Sequence, residues 1–135
     1  MTEQQPSVVL AIDYGLKRIG LAISRVGMAE PLRVLPNDRE IIELIRQICR
    51  DEGVELLLLG ISEGEMAKKT QEFGQSLSSE LNVPLQLFDE TLSSQTAQEK
   101  LAEGEVSLKK RRGPIDHYAA ASFLQEWLEI HQTQF

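Results

Sequence analysis

The sequence predicts an α/β fold built around a mixed sheet, in the element order βββαβαβα. Two observations support this class. Three short strand-like segments follow one another before any helix-like segment, as in an antiparallel meander. After them, short apolar runs alternate with segments of helical periodicity, which is typical of parallel strands joined by helices. The 135 residues, 41% of them apolar and 26% charged, predict a single folded domain over residues 1–135.

The first three strands are predicted from apolar runs and turn residues. Residues 7–13 are expected to form a buried strand, and residues 17–24 a second one, joined to it by a short turn that contains Gly15. A third strand is predicted over Glu30–Leu35. Pro31 lies near the start of this segment and Pro36 follows it, and proline in a sheet suits an edge strand. These strands would form the antiparallel part of the sheet.

The remaining elements alternate between helices and strands. Asn37 or Asp38 is expected to cap a helix whose apolar positions follow helical spacing as far as Gly53. The apolar run over residues 56–60 is typical of a central parallel strand that is buried on both faces. The elements predicted after it are a helix over 66–81, a strand over 84–88, a helix from Ser93 or Ser94 to about Ala102, a basic loop over 105–114 and a last helix from about Ile115 to Ile130.

Composition and charge exclude several classes of protein. No apolar run approaches the roughly 20 residues that a transmembrane helix needs, and the N-terminal residues do not resemble a secretory signal. The single cysteine, Cys49, excludes an intrachain disulfide and is expected to be a small core residue. We therefore expect a cytoplasmic protein with no membrane partner. The net charge of −7 argues weakly against nucleic acid, but Lys109–Arg112 is a concentrated basic run.

Three acidic positions are candidates for a functional site. Asp13 ends the first strand, Glu90 follows Asp89 at the end of the strand over 84–88, and Asp116 opens the last helix on the face that should pack on the sheet. If the first and fifth strands are parallel, Asp13 and Glu90 emerge at the same edge. Each acid also has an ordinary explanation, as a turn former, a solvated strand end or a helix N-terminal acid.

Taken together, the three carboxylates indicate a cation site. They would repel one another at one edge of the sheet unless a cation lay among them, and such hard oxygen ligands suit Mg²⁺ or Mn²⁺. Sites of this kind hydrolyse phosphodiester bonds with metal-activated water. The basic run Lys109–Arg112 would then contact substrate phosphates, and its alternative interpretation is a solvated run of charges.

Four motifs in order resemble the YqgF/RuvX family, whose members are described as nucleases of pre-16S rRNA or of Holliday junctions. The first motif, AIDYGLKRIGLA over residues 11–22, is similar to the family's opening D-x-G-x-K/R-R-I-G-x-A. The others are LLLGI over 57–61, FDETLSS over 88–94, and the segment 114–125 that begins with PID. The resemblance covers nearly the whole chain.

The resemblance implies an RNase H-like fold and a metal-dependent endonuclease. It implies that Asp13, Glu90 and Asp116 are the catalytic residues and hold one or two Mg²⁺ or Mn²⁺ ions. Lys17 and Arg18 would lie close enough to assist at the scissile phosphate. The other predicted substrate contacts are basic side chains: Lys109, Lys110, Arg111 and Arg112.

The reaction implied by the resemblance is 5′-end processing of pre-16S rRNA. The partner would then be structured RNA, and with it a ribosomal precursor particle. The alternative is a Holliday junction resolvase that acts on branched DNA. A resolvase needs two symmetry-related sites, whereas a processing RNase can work as a monomer, so both a monomer and a homodimer stay open.

Departures from the family pattern keep other interpretations open. Thr91 stands where members usually carry an arginine, which removes a side chain able to hold phosphate bidentately. Gly60-Ile61-Ser62 stands where many members have Gly-Leu-Pro. A catalytically weak module that binds nucleic acid or a protein is therefore an alternative. An actin-like ATPase lobe also opens with an Asp-x-Gly hairpin, but this sequence has no second glycine-rich phosphate loop.

Overall fold

The computed structural model of the chain describes residues 6–61, 64–89 and 117–132. Their elements, in chain order, are β1 (Val9–Asp13), β2 (Arg18–Ser24), β3 (Ala29–Pro36), α1 (Ile41–Glu52), β4 (Leu56–Ile61), α2 (Glu65–Glu80), β5 (Leu85–Asp89) and α3 (His117–Gln132). The predicted order βββαβαβα is confirmed for these ranges. The helix predicted from Ser93 or Ser94 and the basic loop predicted over 105–114 lie outside them.

The strands form one five-stranded sheet in the order β3-β2-β1-β4-β5. The β1–β2 and β2–β3 pairs are antiparallel, and the β1–β4 and β4–β5 pairs are parallel, which confirms the predicted mixed sheet. The two most apolar strands, β1 and β4, occupy inner positions because only there are both faces of a strand covered. The edge strand β3 carries Pro31 and Pro36, as the sequence indicated.

Side chains alternate between the two faces of the sheet, and each face has its own core. On one face, α1 and α2 cover Leu10 and Ile12 of β1; we call this the α1/α2 face. On the other face, α3 covers Val9 and Ala11; we call this the α3 face. Within the described ranges 6–61, 64–89 and 117–132, none of the helices combines the length and the apolar character needed to cross a bilayer.

The start of α1 corrects one prediction from the sequence. The helix begins at Ile41 after Glu40, whose side chain makes no capping hydrogen bond. Asp38 Oδ1 instead accepts the Glu40 N–H at 3.0 Å, within a turn that precedes the helix. The Asn37 side chain donates to the Gly15 carbonyl oxygen at 2.7 Å. The prediction that Asn37 or Asp38 caps α1 was wrong, because a distant carbonyl group takes the Asn37 amide and the helix starts later.

Cys49 lies in the core of the α1/α2 face, as predicted, with 8% of its surface exposed. Burial raises the pKa of the Cys49 thiol to about 11. Its thiolate fraction at pH 8 is then about 100-fold lower than that of a thiol titrating near 9.0. We expect a disulfide reagent to react slowly with the native protein and rapidly in urea. Rapid reaction without urea would contradict this burial.

The raised pKa of Cys49 also predicts how stability depends on pH. The unfolded thiol titrates near 9.0 and the folded thiol near 11. The contribution of the neutral thiol to stability is therefore fully present below about pH 9 and is lost as the pH rises toward 11. Urea unfolding from pH 8 to pH 10.5 should show this loss, and the Cys49→Ala variant should show less of it.

Candidate active site

The candidate site lies at the edge of the sheet where β1, β4 and β5 end. Because these strands run parallel, their carboxyl ends meet at one edge, and we call it the carboxyl edge. The strand register places Asp13 of β1 beside Gly60 of β4, and Gly60 beside Phe88 of β5. Strands β1 and β5 are parallel within one sheet, with β4 between them, which was the condition for placing Asp13 and the end of the fifth strand at the same edge.

Asp13 is the buried carboxylate of this edge, with 7% of its surface exposed. A charge held this far from water is costly unless hydrogen bonds or a cation offset the lost hydration. Its side chain lies on the α3 face, because Val9 and Ala11, four and two residues earlier on the same strand, belong to the α3 core. The acid that ends β1 is therefore not a solvated turn residue.

Glycine lies on both sides of Asp13 in the sheet. The antiparallel neighbour of Asp13 is Gly20, and its parallel neighbour is Gly60. Neither neighbour has a side chain, so the two adjacent strands place no side-chain atoms beside the carboxylate at this level. Glycine inside a strand often marks a place where a ligand approaches the backbone closely. The row Gly20–Asp13–Gly60 is therefore suited to hold a ligand of the carboxylate.

Helix α3 crosses the sheet with its N-terminal end toward the carboxyl edge. The ring of Phe123 stacks on Phe88, which lies at that edge, with centroids 5.8 Å apart and planes at 15°. Farther along the helix, Gln125 Oε1 accepts the Ala29 N–H at 3.0 Å, and Ala29 lies at the opposite edge of the sheet. The chain of α3 therefore runs away from the carboxyl edge, and His117, where it begins, is at the end nearer the candidate site.

Two predicted phosphate contacts lie at the same edge as Asp13. Lys17 is in the turn between β1 and β2, Arg18 is the first residue of β2, and both are exposed. Arg18 is two residues before Gly20, so its side chain belongs to the same face of the sheet as Asp13. A guanidinium there can approach a phosphate bound near the carboxylate.

The turn between β1 and β2 is held by residues that the sequence did not single out for the site. Asn37 bonds to Gly15 through its side chain at 2.7 Å and to the Lys17 carbonyl oxygen through its backbone N–H at 2.9 Å. On the other side, the ring of Tyr14 lies against Phe73 of α2, with centroids 4.9 Å apart. Both contacts join segments that are distant in the chain, so no local sequence pattern could predict them.

The other predicted site residues lie outside the described ranges: Glu90, Asp116 and the basic run Lys109–Arg112. Asp89 is described, and its side chain lies on the α1/α2 face because Phe88, just before it, belongs to the α3 core. Over residues 6–61, 64–89 and 117–132, no group of three or more His, Cys, Asp or Glu side chains could hold a metal ion. The described residues thus bring Asp13, Lys17 and Arg18 to one edge.

A solved structure with the same architecture defines the class of fold. The chain is similar to RuvC from T. thermophilus, solved in complex with a Holliday junction substrate, with a TM-score of 0.62 and 19% identity. The match covers 93% of this chain and 95% of that one. The expected RNase H-like fold, with a mixed sheet flanked by helices, is confirmed.

The chain belongs to the family whose model is described as "RuvX: Holliday junction resolvase", which matches residues 7–130. The protein named "Putative pre-16S rRNA nuclease" from Halothermothrix orenii is 35% identical over 130 residues, covering 89% of this chain and 93% of its own. Proteins of the same name from Chloroflexus aurantiacus and Anaeromyxobacter sp. are 32% and 35% identical, covering 93% and 89% of this chain and 89% and 95% of their own. The protein is a nuclease, an enzyme that hydrolyses phosphodiester bonds.

Proposed function

We propose that this nuclease cleaves structured RNA in the 5′-end processing of pre-16S rRNA, at a divalent-metal site formed by Asp13, Glu90 and Asp116. One observation carries the proposal: a buried carboxylate stands between two glycines at the edge where the parallel strands end. The names of the relatives support the choice of substrate. The nuclease would then bind this RNA within a ribosomal precursor particle.

The chemistry of the proposed ligands fits Mg²⁺ or Mn²⁺, because all three are carboxylates and both ions prefer hard oxygen donors. Glu90 directly follows β5 in the sequence, and Asp116 directly precedes α3, whose N-terminal end lies toward the carboxyl edge. When bound, one or two such ions activate water for attack on phosphorus and offset charge on the phosphate oxygens.

The basic side chains bind and orient the substrate. Arg18 can donate two parallel hydrogen bonds to a phosphate, and Lys17 adds a second positive charge at the same edge. We propose that Lys109–Arg112 contacts phosphates farther along the nucleic acid. Contacts to phosphates carry no direct base readout, so this set of residues favours a substrate chosen by its shape.

A second candidate function is the cleavage of four-way DNA junctions. The description of the matching family model favours it. This reaction presents the same phosphodiester chemistry to the same carboxylates. It differs in requiring two active sites related by symmetry, and hence a dimer.

A cleavage assay tests the proposed function. The substrates are an RNA with the 5′ leader of 16S rRNA, a four-way DNA junction and an unstructured RNA, each with Mg²⁺, Mn²⁺ or EDTA. We expect the leader RNA to be cut fastest and EDTA to stop the reaction. Glu90→Gln should abolish cutting, whereas Glu72→Gln, on the exposed side of α2, should not.

The other outcomes of this assay distinguish the alternatives. Faster cutting of the DNA junction would favour a resolvase. Tight binding with no cutting of any substrate would favour a binding module. Cutting that persists in EDTA would contradict the metal site.

A further inference from the structure

Asn37, which follows the edge strand β3, makes two hydrogen bonds to the turn between β1 and β2. Its backbone N–H donates to the Lys17 carbonyl oxygen at 2.9 Å. Its side-chain Nδ2 donates to the Gly15 carbonyl oxygen at 2.7 Å. The two acceptors are two residues apart, so one residue holds the turn at two points.

One of these two bonds depends on the asparagine side chain. Arg18 pairs with Pro36 in the antiparallel ladder, so the backbone bond from Asn37 extends the β2–β3 pairing by one residue. Any residue except proline could supply that bond. The second bond needs a side-chain donor of this length, because it ends on the buried Gly15. An aspartate of the same shape would present an acceptor to a carbonyl oxygen.

Two sets of contacts therefore hold the turn, one on the α1/α2 face and one from the residue that follows β3. On the α1/α2 face, the ring of Tyr14 is anchored against Phe73 of α2. At the strand edge, Asn37 holds the next part of the turn. Asp13 stands at the start of this turn and Arg18 at its end, so the geometry between carboxylate and guanidinium depends on the turn.

We propose that Asn37 is a positioning residue of the nuclease reaction, which keeps Lys17 and Arg18 in place relative to Asp13. The proposal rests on the proposed function, in which those two cations bind the scissile phosphate. Asp13 is paired on both sides, with Gly20 and Gly60, whereas Arg18 is paired only with Pro36 on β3. Loss of the side-chain bond would therefore displace the cations more than the carboxylate. Misplacement by about 1 Å at a reacting group can lower a rate about 100-fold.

The test compares Asn37→Asp with a matched control, Asn82→Asp, which lies in an exposed bend just before β5 at the opposite edge. Each variant is measured for kcat and KM on the leader RNA, for the salt dependence of RNA binding and for its urea midpoint. We expect Asn37→Asp to lower kcat about 10- to 100-fold and to lower the urea midpoint relative to the control, because the buried Gly15 carbonyl oxygen loses its donor. The slope of log affinity against log salt should shrink by about 0.7 to 0.9 for each phosphate that the displaced cations no longer neutralise.

Each remaining result would overturn the positioning role. A wild-type kcat would do so, and so would a lower kcat with an unchanged salt slope. If Asn37→Asp fails to fold, Asn37→Ala is measured in its place, and loss of the fold in both assigns Asn37 to stability alone. If substitution of Asp13 abolishes cutting and substitution of Asn37 leaves it at the wild-type rate, only the positioning role is refuted. Cutting that does not depend on Asp13 refutes the proposed function itself.

Discussion

Replacing Asp13 with asparagine is expected to lower kcat by more than about 100-fold while the protein stays folded. Loss of a group that only supports a metal ligand already costs about 10- to 100-fold, so loss of a proposed ligand should cost more. Asparagine has the shape of aspartate without its charge. Because the side chain keeps its size at this buried position, the variant should stay folded under the conditions of the assay.

The measurement is an initial rate in Mn²⁺ on the leader RNA, with urea unfolding of the same preparation. Asp51→Asn on the exposed side of α1 is the matched control and should keep the wild-type rate. An Asp13→Asn enzyme that cuts at the wild-type rate would remove this residue from the site. An unfolded Asp13→Asn variant would show that the carboxylate serves the fold.

The largest expected loss of stability comes from Leu58→Ala. Leu58 is fully buried in the inner strand β4, within the α3 core. Its truncation should lower the free energy of unfolding by about 2–5 kcal/mol, since both the transfer of the side chain and the cavity left behind contribute. Leu87→Ala, on the edge strand β5 with 44% of the side chain exposed, should cost much less. Urea denaturation measures both, and equal losses would contradict the assignment of β4 to the centre of the sheet.

The sequence predicted the sheet well because its signals are local. A strand that is buried on both faces must be apolar at every position, and β1 and β4 show this directly. Gly53, predicted to end α1, does so with a φ of 68°, a left-handed conformation that glycine adopts without strain. The position of Asp13 at the end of a buried strand followed from the same patterns.

What the sequence could not supply was the pairing between distant segments. Asn37 has the residue type of a helix cap, and only the fold brings the Gly15 carbonyl oxygen to it, 22 residues earlier in the chain. The glycines beside Asp13 were visible in the sequence, but their alignment with it depends on the register of two strand pairs. Glu90 and Asp116 lie outside the described ranges, and their place in the site stays a prediction.

The row of Gly20, Asp13 and Gly60 has a consequence for how this enzyme can change. Glycine within a strand lowers stability by about 0.5–1 kcal/mol relative to alanine, because more backbone freedom is lost on folding. Alanine at either position would relieve that loss and would place a methyl group beside the carboxylate. A substitution that recovers this backbone free energy would therefore crowd the proposed metal site, so at this row of residues stability and turnover are opposed.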